Sequence, residues 1–115
     1  METMPAAIRP NVTAIFASSS RGALGALKAL RKRSLSVPKD ISLVGFLNPA
    51  WLDVSDPPLT TYELPLNDMG DMTARLLLDR IRRPRADEPT EPQVLRFDGR
   101  LIVRKSTAGP RTRAL

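Results

Sequence analysis

Apolar positions along this chain alternate between short dense runs and longer periodic stretches, and their order predicts a sequence of strands and helices. Val12 to Ala17 is a β-branched, apolar run of strand type that stops at Ser18-Ser19-Ser20, residues suited to cap a following helix. From Arg21 to Arg33 apolar residues recur at Ala23, Leu24, Leu27 and Leu30, which is the spacing of one helical face, and basic residues crowd toward its C-terminal end. Gly25 lies within that helix and costs it about 1 kcal/mol relative to alanine, which predicts close approach to a neighbouring element. Val37-Pro38 ends the helical pattern. Ile41 to Phe46 then runs apolar at nearly every position, as a strand covered on both faces does.

Leu47 to Pro58 reads as a loop whose course is fixed by Pro49, Pro57 and Pro58 and whose large aromatic is Trp51. Leu59 to Leu64 alternates as a strand. Leu66 to Arg83 carries the clearest helical pattern, with Leu66, Met69, Gly70, Thr73, Leu77 and Ile81 on one face and Pro84 closing it. Arg85 to Pro92, rich in proline and acids, reads as a linker, and Gln93 to Val103 as two short strands around an Asp98-Gly99 turn. Thr107 to Leu115 has the composition of a disordered tail. The β-α-β-loop-β-α-β order predicts an α/β fold, a three-layer sandwich with a mostly parallel sheet, here incomplete.

Composition narrows the chemistry. A chain of 115 residues supports one small domain, burying only about two-thirds of its unfolded surface. It holds no cysteine and no histidine, which removes disulfides, thiolate nucleophiles, most zinc and haem sites and any histidine general base. No cofactor, metal or catalytic residue is expected. The carboxylates Asp53, Asp56, Asp68 and Asp71 fit solvated or helix-start positions, and no phosphate-cradling or nucleophile-elbow motif is present. An enzyme is therefore not expected.

The apolar runs are far shorter than the roughly 20 residues that span a bilayer, so no membrane role is expected. Glu2 and the lack of an apolar core in the first ten residues do not fit a signal peptide, and a cytoplasmic protein is expected. Lysine and arginine number 18 against 12 acids, a net charge of +6, clustered at Lys28 to Arg33, at Arg80 to Arg85 and in the tail. The first two clusters sit where helices end, so their charge answers the helix dipole. A nucleic-acid reading lacks interleaved aromatics and a recognition motif.

The phrase Val37-Pro38-Lys39-Asp40-Ile41-Ser42-Leu43-Val44-Gly45-Phe46, followed by Pro57-Pro58-Leu59-Thr60-Thr61, is flanked by Thr13 to Ala17 before it and Leu101-Ile102-Val103-Arg104 after it. Together these resemble the carboxy-terminal part of the effector-binding sensor domain of LacI/GalR-type transcriptional regulators. The resemblance covers nearly the whole chain. It implies the second-lobe portion of a periplasmic-binding-protein-like type I domain, in which the chain crosses between lobes near Tyr62-Glu63-Leu64-Pro65-Leu66 and the Leu66 to Arg83 helix joins the other lobe.

It also implies a small-molecule effector bound between lobes, a homo- or heterodimer with a related regulator, and DNA binding only through a helix-turn-helix head. No segment before residue 12 is long enough to hold that head or a first lobe, so a truncated sensor is expected: a leader at 1–11, a partial sensor domain at 12–107 and a disordered tail at 108–115. Two rivals are an interaction module that dimerises with full-length relatives and a fragment of a periplasmic solute-binding protein.

The resemblance singles out site residues one by one. Ser19 and Ser20 stand where the family commonly has Asn-Asp; their hydroxyls can contact a ligand or simply cap the helix. Leu47 and Asn48 follow Gly45-Phe46 where the family usually has two aspartates, the first aimed at sugar hydroxyls. Leu47 argues against sugar recognition at that point, while Asn48 is either a turn residue or a ligand contact. Trp51 can stack on a ligand or pack the loop onto Pro57 and Pro58. Gly45 is expected to let the backbone turn into the cleft loop. Arg104 matches the family's closing arginine, in an ion pair or on a ligand, and Lys105 takes a position often held by glutamate.

Overall fold

The computed structural model describes residues 12–82 and 91–110. Its elements follow the predicted order: β1 (Ala14–Phe16), α1 (Ser20–Lys32), β2 (Ser42–Phe46), a 3-10 turn (Ala50–Leu52), β3 (Thr60–Glu63), α2 (Leu66–Arg82) and β4 (Arg100–Ile102). The strands form one sheet in the order β1-β2-β3-β4, parallel for the first three and antiparallel between β3 and β4. The chain divides into two compact units, one of Met1–Glu63 with Arg100–Leu115 and one of Leu64–Gly99. That division falls inside the segment where the resemblance places a crossing between lobes.

Helix α1 forms because both its ends are closed. At the start, the Ser19 Oγ accepts the Gly22 N–H at 3.0 Å. At the other end, the N–H of Leu35 donates to the Leu30 carbonyl and that of Ser34 to the Arg31 carbonyl, each at 3.0 Å, with Ser34 in the left-handed region at φ 57°. This is a Schellman closure with serine where glycine is usual. The helix buries Ala23, Ala26, Leu27 and Leu30. The first three of these form a core cluster with Leu43, Leu52 and Leu59, and Ile15, Ala17, Val37 and Trp51 pack against it.

Register decides which strand residues join that core. Ile15 pairs with Leu43, and Gly45 with Thr61, so these share the face that α1 covers. A Cβ built on Gly45 would lie 3.5 Å from the Ala23 Cβ, which places the helix close above that strand. The alternate positions, Phe16, Val44, Phe46, Tyr62 and Leu101, look to the opposite face, where Phe16 and Leu101 are exposed. Phe46 stacks on Tyr62 with centroids 6.2 Å apart, and Phe16 meets Phe46 edge-on at 6.4 Å.

The structure corrects several local expectations. Gly25 approaches nothing: a Cβ there would meet no atom within 4 Å, because it lies on the exposed side of α1. Of the two short strands expected over Gln93 to Val103, only β4 forms, since β3 supplies ladder partners to Arg100–Ile102 and residues 93–99 have no such neighbour. Thr107 and Ala108, expected at the start of a disordered tail, are bonded into the first unit: Thr107 Oγ1 lies 3.0 Å from Thr60 Oγ1, and the Ala108 N–H donates to Ser42 Oγ at 3.0 Å. The leader at 1–11, most of the linker with Pro84, and residues 111–115 lie outside the described residues.

In the second unit α2 is amphipathic but buries none of its residues; Leu66, Met72, Leu77, Leu78 and Ile81 are all exposed. Asp68 in the first turn and Arg80 and Arg82 in the last match the helix dipole at both ends.

Candidate functional site

The carboxyl ends of β1 and β2 lie side by side, and the two loops singled out by the sequence leave from them. Phe16 pairs with Val44, and the Ala17 N–H donates to the Val44 carbonyl at 2.8 Å, so Ser18-Ser19-Ser20 and Leu47-Asn48 open from the same edge of a parallel sheet. That edge is where open α/β sheets accept ligands. Ser19 spends its Oγ on the N-cap. A Cβ on Gly22 would stand 2.9 Å from that oxygen, so a larger residue here would require the Ser19 hydroxyl to shift.

The turn out of β2 is made by Leu47, not Gly45. No glycine among the described residues has positive φ, whereas Leu47 sits at φ 67°. Its backbone is held by β3: the Leu47 N–H donates to the Tyr62 carbonyl at 2.9 Å, and its carbonyl accepts the Thr61 hydroxyl. These two bonds offset the cost, about 1 to 2 kcal/mol, of a left-handed conformation for a residue with a Cβ.

Asn48 is committed at both ends of its amide. Nδ2 donates to Glu63 Oε1 at 2.8 Å, and Oδ1 accepts Nη2 of Arg104 at 2.9 Å. Arg104 also donates Nη1 to the Leu59 carbonyl at 2.7 Å and Nε to Asp53 Oδ1 at 3.1 Å. The arginine side chain is only 13% exposed. It therefore fastens the cleft loop on both sides of Trp51, at Asn48 and at Asp53, and its geometry is that of the ion pair rather than of a free ligand contact. Trp51 is half-buried and packs against the core cluster.

Three residues of this network escaped the sequence reading: Thr61, Glu63 and Arg100. Glu63 takes Arg100 Nε on Oε2 at 2.5 Å, and the two are register partners across β3 and β4. The hydrogen bond from Asn48, then that from Arg100, holds the Glu63 carboxyl below its ordinary value of 4.5, with desolvation opposing them and the charges of Arg100 and Arg104 adding to them. An acid and a base at the ends of two adjacent strands is a cross-strand pairing signal, but it is readable only once the register is known. Ser106 is also fully buried, donating to the Leu43 carbonyl at 2.5 Å and accepting the Thr60 N–H at 2.8 Å, so it ties β2 to β3 at their amino ends.

A mostly parallel sheet with two loops leaving neighbouring strand ends has the architecture of an open α/β fold. A sequence model of the periplasmic binding protein-like domain matches residues 1–107. The chain belongs to this family, in the form carried by LacI/GalR-type transcriptional regulators.

Among its relatives, the HTH-type transcriptional regulator MalR of Streptomyces coelicolor is 40% identical over 90% of this chain and 29% of its own length. CelR of Thermobifida fusca is 39% identical over 84% of this chain and 27% of its own. Among solved structures, a CelR–cellobiose complex superposes with a TM-score of 0.73 at 39% identity, covering 84% of this chain and 28% of that one. A LacI-family regulator from Enterococcus faecalis V583 with bound ribose gives 0.72 at 37% identity, over 87% and 36%. The chain thus spans less than a third of the curated relatives it matches.

Proposed function

We propose that this chain is the effector-sensing part of a LacI/GalR-type regulator, in which a small polar molecule meets the Ser19-Ser20 turn and the Leu47-Asn48-Trp51 loop. The observation that carries the reading is the departure of both loops from adjacent parallel strand ends. Relatives solved with cellobiose and with ribose support a small hydroxyl-bearing effector as the ligand class. In an intact regulator, closure around that effector would be linked to operator binding by a DNA-reading head, in the cytoplasm and without catalysis. No helix among the described residues is long and apolar enough to cross a membrane.

Affinity for simple sugars is expected to be weak, because Leu47 and Ser20 offer no carboxylate to a diol. The test is an amide chemical-shift titration with ribose and with cellobiose. Shifts confined to residues 18–21 and 47–53, half-saturating in the millimolar range at about −4 kcal/mol, are the expected result. Shifts confined to any other surface would refute the site, and micromolar binding would refute the role given to Leu47.

A second reading, an interaction module that pairs with full-length relatives, is favoured by the uncovered apolar side of α2. Co-purification with a complete relative while both loops stay silent to small molecules would select it.

A further inference from the structure

We infer that Asn48, Glu63 and Arg100 form a latch that ties the cleft loop to the two points where the chain leaves and re-enters the first unit. This rests on the reading that a ligand meets the Leu47 to Trp51 loop, and it adds how occupancy there is transmitted.

Glu63 is the last residue of the first unit before the chain crosses over, and Arg100 is the first after it returns. They are bonded to each other, Arg100 Nε to Glu63 Oε2 at 2.5 Å, and the second carboxylate oxygen accepts the Asn48 amide at 2.8 Å. Both crossing strands thus end on one carboxylate, and that carboxylate holds the loop.

The side-chain oxygen of Asn48 accepts from Arg104, whose other two side-chain bonds run to Asp53 and the Leu59 carbonyl. Asn48 Nδ2 carries two N–H donors, one of them aimed at Glu63; a ligand that draws the amide round to accept that donor competes with Glu63, and one that donates to Oδ1 competes with Arg104. Freed of Asn48, Glu63 keeps its hydrogen bond from Arg100, and the loop loses its side-chain tie to Glu63 while the Leu47 backbone stays bonded to Tyr62 and Thr61. By linkage the coupling is reciprocal: a rearrangement of the crossing strands that withdraws Glu63 releases Asn48 for a ligand.

The test needs no ligand, so its failure is separable from that of the binding site. The Arg100 side chain bonds Glu63 rather than the cleft loop, and Arg100→Gln removes one end of the latch while leaving Asn48, Arg104 and Trp51 in place. Hydrogen exchange of the non-proline amides at residues 47–53 in the full chain is expected to quicken by about twofold or more, the low end of coupling within a side-chain network. Arg100→Gln combined with Asn48→Ala should add less than the sum of the two. Unchanged loop exchange in Arg100→Gln, or strictly additive effects, would overturn the latch.

A measurement on the unaltered protein guards against a variant that fails to fold. The side-chain amide protons of Asn48 should move on acidification with the midpoint of the Glu63 carboxyl. Asn48 amide signals that ignore that ionisation would equally overturn it.

Discussion

Glu63 links charge to stability at the scale of single residues. Its carboxyl is held below its ordinary value by Asn48 and Arg100, so the folded protein binds this proton less readily than the unfolded chain does. The stabilisation is fully present above about pH 4.5 and is lost as pH falls through the lower folded value. Thermal melts of the native chain and of Glu63→Gln, compared from about pH 6 to pH 3, should converge on acidification, because the variant has no such contribution to lose. Curves that stay parallel through that window would contradict the assignment. Leu47 shows a different economy: its left-handed turn is held by Tyr62 and Thr61 of the next strand, which is why a residue with a Cβ is tolerated there.

At the scale of elements, α1 carries a glycine and a serine in positions that suit neither. Gly25 sits in the middle of the helix facing open space, while Ser34 takes the left-handed position of the closing motif. Gly25→Ala should stabilise the protein by about 1 kcal/mol through helix propensity. Ser34→Gly should gain a similar amount, about 1 kcal/mol, by removing the Cβ from a left-handed site. Urea midpoints that rise for both variants with unchanged slope are the expected result. A fall for Gly25→Ala would show that something covers that side of the helix in solution.

At the scale of the molecule, the first unit has a core and the second has a helix that buries nothing. Leu66, Met72, Leu77, Leu78 and Ile81 are exposed on α2 of the second unit, and Phe16 and Leu101 are exposed on the sheet of the first. The isolated chain is expected to self-associate with rising concentration in sedimentation velocity and to melt low in the mesophile range. A compact monomer with one cooperative transition above about 60 °C would contradict this.

Local pattern determined the elements, because strand and helix periodicities and their stop signals are written within short windows of sequence. The Ser18 to Ser20 cap, the Val37-Pro38 break and the dense run into Phe46 each acted within a few residues, and the resemblance singled out the two loops that leave the strands. Tertiary structure alone decided what the side chains there do. Asn48 and Arg104 lie 56 positions apart and Glu63 and Arg100 lie 37 apart, and their bonds exist only once β3 and β4 are in register. The same holds for Gly25, whose neighbours no window can show, and for Ser106, buried between strands whose separation only the folded sheet sets.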